Sequence, residues 1–257
     1  MNLHKKFKFL CLLRFIRDDR ISDGYSNADL IESIVAKNIQ YQDEVFKSSS
    51  IPIAGMRTIF PFALGQFQEK IHVLDFGGGG GNHYIEAKAA MPTKSFIWNV
   101  LETKEMVKQC MAKRSSGNEL FFIDKISDLI PEDIDLIIAN SSLQYTEDPI
   151  SRLRELIEVN SKYIWITRTV LTDSEQVDFY QTSDFRDNGP SISNPKDDAR
   201  KVSYNVTVLP RPLFESVIKT KYDVLLMVLE ERGVYKNGGN TFDVYGYFCK
   251  RKCDSIK

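Results

Sequence analysis

Ten residues, Val73-Leu74-Asp75-Phe76-Gly77-Gly78-Gly79-Gly80-Gly81-Asn82, constrain the fold of this chain more than any other stretch. The segment Ile71 to Phe76 is a short apolar run with an acid near its end, and it reads as a buried strand. Residues from about Asn82 to Ala90 read as a helix, stopped by Pro92. Five glycines between a buried strand and a helix are not a flexible linker. They fit the spacing D-x-G-x-G-x-G through Asp75, Gly77, Gly79 and Gly81. Without a Cβ the backbone can turn sharply and lie close to a bound molecule. The helix that follows offers unpaired N–H groups to a carboxylate or phosphate. Asp75 can bond that molecule or fix the loop.

The pattern then repeats. Strands are expected at 96–101, 120–123, 134–139 and 163–167, with helices at 105–113 and about 149–159. Such alternation predicts an α/β fold, a parallel sheet with helices on both faces. Near the end the order changes to a helix at 213–219 and strands at 223–229 and 242–249. The strands flank Asn237-Gly238-Gly239-Asn240 and predict an antiparallel hairpin. Residues 1 to about 70 read as mainly helical. Leu30, Ile31, Ile34 and Val35 recur at helical spacing behind Asn27 as a cap, and Pro61 breaks a second apolar patch at 59–67. The expected organisation is an N-terminal helical cap at 1–70 and a main domain at 71–257. A polar insertion at 172–200 carries seven acids and three bases, net −4. It is expected to be a mobile lid outside the sheet, with Asp178 and Tyr180 as candidate substrate contacts.

Acids end three successive strands. Glu102 can accept both hydroxyls of a ribose, and Asp124 can meet an adenine amino group. With the glycine loop they describe an adenosine pocket at the carboxyl edge of the sheet. An acid two residues before the first glycine departs from the dinucleotide fingerprint, which counts against a nicotinamide-dependent oxidoreductase.

Charge and cysteine usage narrow the rest. The 257 residues carry 34 Lys plus Arg and 35 Asp plus Glu, net −1, so no nucleic-acid partner is expected. Cys11, Cys110, Cys249 and Cys253 are scattered, and only three His are present. That predicts free thiols in a reducing cytoplasm and no metal site. The first 20 residues hold six positive and two negative charges. As an amphipathic basic helix they pack on the domain or make peripheral contact with the inner membrane face.

The motif from Asp75 to Gly81, Glu102, Asp124, Ile134-Asp135-Leu136-Ile137-Ile138-Ala139-Asn140 and the terminal hairpin resemble the class I S-adenosylmethionine-dependent methyltransferases over about residues 71–251. Leu143-Gln144-Tyr145, Asp148-Pro149, Arg168-Thr169, Gly24-Tyr25 and the segment 41–46 look like a bacterial subgroup linked to surface polysaccharide synthesis. The resemblance implies a Rossmann-like sheet whose last strand is antiparallel, with S-adenosylmethionine as cofactor. Gly77 and Gly79 would pass its methionine part, Glu102 would hold the ribose, and Asp124 would border the adenine. Asn140 to Leu143 would line the gap toward a small-molecule or glycan-type acceptor. Two departures stand out: five consecutive glycines exceed the usual motif, and Asn140-Ser141-Ser142-Leu143 replaces Asn-Pro-Pro-Tyr. The second points away from amino methylation and toward O-methylation. The catalytic candidates are His83, which can reach the cofactor carboxylate or accept a proton, and Arg168, which can pair with a substrate carboxylate or phosphate. Tyr145 covers the cofactor or packs on the lid. A cofactor-binding module without turnover is the non-enzymatic alternative.

Overall fold

The computed structural model describes residues 24–48, 50–114, 117–130, 133–193, 198–237 and 240–253. The basic N-terminal segment 1–20 and the glycines at 238–239 lie outside the described residues. Among the described residues no helix is long and apolar enough to cross a membrane.

Strands β1 (Lys70–Phe76), β2 (Ser95–Leu101), β3 (Leu120–Ile123), β4 (Leu136–Asn140) and the first half of β5 (Tyr163–Thr172) pair in parallel in the order β3-β2-β1-β4-β5. Period-two alternation divides their side chains between two faces. Ile71 and Val73 join Phe96, Trp98 and Ile138 on one face. There they meet α1 (Ala28–Ser48), α3 (Asn82–Ala90) and α4 (Lys104–Lys113) through Leu30, Ile34, Ala87 and Met106. Leu74 and Phe76 join Ile137 and Ile164 on the other face. That face is covered by α5 (Pro149–Glu158) and α6 (Arg211–Ile218) through Leu153, Leu156 and Phe214. Both faces being buried explains why these strands read as continuous apolar runs.

The apolar patch interrupted by Pro61 is a helix, α2 (Met56–Leu64). Pro61 has no N–H for the carbonyl of Arg57 four residues earlier. That carbonyl instead accepts the indole N–H of Trp165 on β5 at 2.9 Å, so the helix survives its proline.

The C-terminal hairpin is longer than expected, with β8 at Tyr222–Asn237 and β9 at Asn240–Arg251. Strand β9 pairs antiparallel with β5, which gives the sheet its antiparallel edge.

The segment 172–200 corrects the expectation of a lid outside the sheet. Residues Val177–Asp184 form β6, fully paired antiparallel with β7 (Lys201–Pro210). Strand β7 then pairs in parallel with the end of β5 at Leu171 and Thr172. One edge of β5 is taken by β9 along this stretch, so the hairpin occupies the other edge, beyond the carboxyl end of β4. The physical reason is an alternation diluted by polar residues. Val202, Tyr204, Val206 and Val208 face inward, opposite Phe179 and Gln181. Asp178 and Tyr180, the substrate contacts expected from sequence, lie on the outward face, where Asp178 accepts the Thr207 hydroxyl at 2.5 Å. The turn after β6 is pinned to α1 by Lys37. Its buried ammonium donates to the carbonyls of Phe185, Arg186 and Asn188 at 3.2, 2.6 and 2.6 Å.

Candidate functional site

Every strand of the parallel sheet delivers a polar residue to the same edge. Asp75 and the glycine loop follow from β1, Glu102 from β2, Asp124 from β3, Asn140 from β4, and Arg168 from a break within β5. The topology reverses between β1 and β4, where ligands of open α/β sheets bind.

The five glycines have two functions. Gly77, Gly79 and Gly81 have φ of +70°, +55° and +84°, a region that side-chain-bearing residues rarely adopt. At Gly78 and Gly80 a Cβ would run into Asp75 and Asn38 respectively. Loop and support are thus in van der Waals contact, and the run is longer than its motif because the positions between the turns also lack room. The guanidinium of Arg114, itself buried, donates to the Gly80 carbonyl and to Gln42.

Asp75 is fully buried beneath the loop. Its carboxylate accepts from His83 Nδ1 at 3.0 Å and from the Trp98 indole at 3.1 Å. His83 is 6% exposed, and its other ring nitrogen, Nε2, lies 3.1 Å from the amide nitrogen of Asn140. Both ring nitrogens are therefore committed within the protein. Burial disfavours the charged ring, but the adjacent Asp75 charge and hydrogen bond outweigh it, and the His83 pKa rises to about 8. A folded value above the unfolded one adds stability that is complete below the unfolded pKa and is lost as pH rises through about 8. The expected loss between pH 6.5 and 9 is about 2 kcal/mol. Urea unfolding at the two pH values measures it. A His83→Gln variant showing the same loss would assign it to other groups.

Glu102 stands above the loop. One carboxylate oxygen accepts the Gly79 N–H at 3.0 Å and the other the Thr103 N–H at 2.9 Å. Burial raises its pKa, opposed by the two amide donors. Each oxygen retains a lone pair. Asp124 follows directly on β3 and is half-buried.

The loop after β4 holds buried polar atoms without a partner among the described residues, Asn140 Oδ1, Ser142 Oγ and Gln144 Oε1. Buried polar atoms in folded proteins are nearly always bonded, so such a group marks the place of a ligand or water. Ser141 in this loop has φ +55°, as does Arg168 nearly, at +53°. Ser141 directly follows β4 and Arg168 sits at the break within neighbouring β5, and non-glycine residues held there cost of order 1–3 kcal/mol each.

Arg168 occupies a bulge between Ile166 and Thr169, and its side chain is exposed. Among the described residues no carboxylate pairs with it. Glu230 on β8 holds the bulge. It accepts from the Arg168 N–H at 2.9 Å, from the Thr167 hydroxyl at 2.5 Å and from Arg57 at 2.9 Å. Sequence reasoning missed Glu230, which lies 62 residues away along the chain.

Three tyrosines close the site toward the β6–β7 hairpin. Tyr25 stacks on Tyr204 at 4.8 Å, and Tyr145 meets both edge-on at 5.6 Å. The Tyr145 hydroxyl donates to Gln181 on β6 at 3.3 Å, so it packs on the 172–200 segment. Burial raises the Tyr25 pKa far above its usual value; the Glu102 charge raises it further and Arg168 lowers it. The tyrosine roof therefore lies within electrostatic reach of Glu102 and Arg168 together.

No family model matches the chain, and no curated protein matches it by sequence. Solved structures do share its architecture. The CcbJ methyltransferase from Streptomyces caelestis is similar over 83% of this chain and 98% of its own, with a TM-score of 0.51 at 10% identity. A Burkholderia thailandensis 1,6-didemethyltoxoflavin-N1-methyltransferase, solved with S-adenosylhomocysteine, is similar over 94% of this chain and 95% of its own, with a TM-score of 0.47 at 12% identity. The [4+2]-cyclase SpnF is similar over 77% of this chain and 80% of its own, with a TM-score of 0.49 at 13% identity. With its parallel sheet, helices on both faces and terminal antiparallel hairpin, the chain has the Rossmann-like fold of the class I methyltransferases.

Proposed function

We propose that the protein is an S-adenosylmethionine-dependent methyltransferase that acts at oxygen on a small-molecule or glycan-type acceptor. The observation that carries this reading is the Glu102 carboxylate on the open Gly79 loop, at the same sheet edge as a β4 loop whose buried polar atoms have no partner among the described residues. The residues present fit the cofactor. Glu102 has one free lone pair per oxygen for two ribose hydroxyls. A Cβ at Gly79 would touch only Ile34, at 3.7 Å, which leaves the loop open to a ligand. Asp124 borders the position of an adenine at the end of β3. Asp75 supports the loop from below and holds His83, while Arg114 ties down Gly80.

When bound, S-adenosylmethionine supplies a methyl group already activated on a sulfonium. The work left to the chain is to hold an acceptor in line with that methyl and to exclude water. Asn140, Ser142 and Gln144 offer hydrogen bonds toward the gap, and Arg168, which pairs with no carboxylate among the described residues, offers a cation for an acidic acceptor group. The tyrosines and the hairpin behind them cover the acceptor side. In this reading His83 acts through Asn140 and does not touch the reacting atoms, because both its nitrogens are engaged.

Titration calorimetry with S-adenosylhomocysteine tests the assignment. Glu102→Ala removes a charge-assisted bond of roughly 1.5–3 kcal/mol, so affinity should fall about tenfold or more. Unchanged affinity in that variant would remove Glu102 from the ribose. Binding of NAD in place of the thioether would favour the oxidoreductase, and cofactor binding without methyl turnover on fractionated metabolites would favour the binding module.

A further inference from the structure

We propose that His83 is a positioning residue that determines which end of the Asn140 amide faces the site. Asp75 and His83, both buried, and the half-buried Asn140 form one line from the strand β1 to the end of β4, with separations of 3.0 and 3.1 Å. Its last member carries the anomaly. Asn140 turns its NH2 toward His83 Nε2 and leaves Oδ1 buried with no partner among the described residues. That arrangement belongs to the neutral ring, in which Nδ1–H donates to Asp75 and Nε2 accepts. A charged ring carries N–H on both nitrogens. Two donors cannot face each other, so the amide must rotate by half a turn. Oδ1 then accepts from Nε2–H, and the NH2 group takes its place toward the site.

The hydrogen-bonding polarity of the site follows from this coupling. With His83 neutral, Asn140 presents an oxygen that accepts from a ligand amine, ammonium or hydroxyl. With His83 charged, it presents an N–H that donates to a carboxylate or other oxygen. The charges that set the balance are Asp75 on β1 and Glu86 on α3, which favour the charged ring, and Arg168 on β5, which opposes it. Near neutral pH the charged form prevails, since the pKa stands at about 8. Arg168 on the neighbouring strand, unpaired with any carboxylate among the described residues, adds to the same polarity. Below pH 8 the pocket is therefore built to hold an oxygen acceptor, and above it the preference at Asn140 reverses. This goes beyond the methyltransferase reading and does not depend on it, because the coupling belongs to the free protein.

The test is a nitrogen-15 NMR titration of the whole chain from pH 6 to 9.5, with histidine rings and asparagine side chains labelled. His83→Gln and Asn140→Ser variants assign the two sets of signals. The Nε2 signal of His83 and the side-chain amide signals of Asn140 should move together with one midpoint near 8. Asn140→Asp replaces a reversible partner by a permanent acceptor, so the His83 midpoint should rise by a unit or more, a tenfold gain in proton affinity. Asparagine signals that stay flat while His83 titrates would overturn the proposal, as would an Asp variant with an unshifted midpoint. If that variant fails to fold, the wild-type titration decides alone.

Discussion

Asp75→Ala should lower the thermal midpoint by roughly 10 °C, the largest stability loss expected from any single change at the site. Asp75 is 0% exposed and bonds two donors from different elements, the Trp98 indole on β2 and the His83 imidazole on α3. Truncation leaves both donors buried without an acceptor. It also strands a ring whose charge was held by the lost carboxylate. Breaking a buried charged pair in this way costs about 3–5 kcal/mol, a large part of a typical domain's 5–15 kcal/mol. A cavity under Gly78 adds to the loss, because the loop lies directly on this carboxylate. Asp75→Asn separates the contributions. It keeps the volume and one acceptor but removes the charge, so the loss should be smaller and the pH dependence between 6.5 and 9 should flatten. Differential scanning calorimetry at both pH values measures this. An Ala variant within about 1 kcal/mol of wild type would show that the carboxylate does not hold the loop.

The parallel core was legible because its strands are buried on both faces and so read as apolar runs between helices. The acids at the strand ends were legible for a related reason: a lone carboxylate closing an apolar strand has few structural uses. Asp75, Glu102 and Asp124 are those acids, on β1 or directly after β2 and β3. The β6–β7 hairpin was not legible. Its inward face mixes Phe179 with Gln181 and its partner strand alternates valines with Ser203, Asn205 and Thr207, so the segment resembled a polar loop. Long-range polar contacts were beyond reach for a different reason. Lys37 and Asn38 occupy helical positions that read as ordinary surface, yet both are buried. Lys37 captures three carbonyls some 150 residues away, and Asn38 packs on Gly80. Likewise, nothing local announces that Arg168 takes a left-handed conformation, because Glu230 on another strand stabilises the bulge. The part of the site that we assign to an acceptor is assembled by such contacts, and the part that we assign to the cofactor by a local motif. That difference explains why one half could be read and the other could not.

Gly79→Val should abolish binding of S-adenosylhomocysteine while leaving a folded protein. At this position the backbone has φ +55°, and a side chain there costs roughly 1–2 kcal/mol, more for a β-branched one. The protein itself has room, since the first carbon would meet only Ile34 Cγ2 at 3.7 Å. Gly77, Gly78 and Gly80 are different, because there a Cβ would collide with Ser142, Asp75 or Asn38 and the loop would have to move. Gly79 therefore separates ligand space from packing. Its N–H also donates to Glu102 at 3.0 Å, so a shift of this residue misaligns the carboxylate assigned to the ribose. The two effects act on the same ligand, and together they should weaken binding by at least about a hundredfold, roughly 2.7 kcal/mol. Calorimetric titration reads the affinity, and circular dichroism with urea unfolding confirms that the fold persists with a stability loss of only a few kcal/mol. Gly79→Ala should fall between, with the backbone strain but less bulk. A Val variant with native dichroism and wild-type affinity would show that no ligand approaches the loop from the side of Ile34. The cofactor would then have to sit elsewhere on the carboxyl edge.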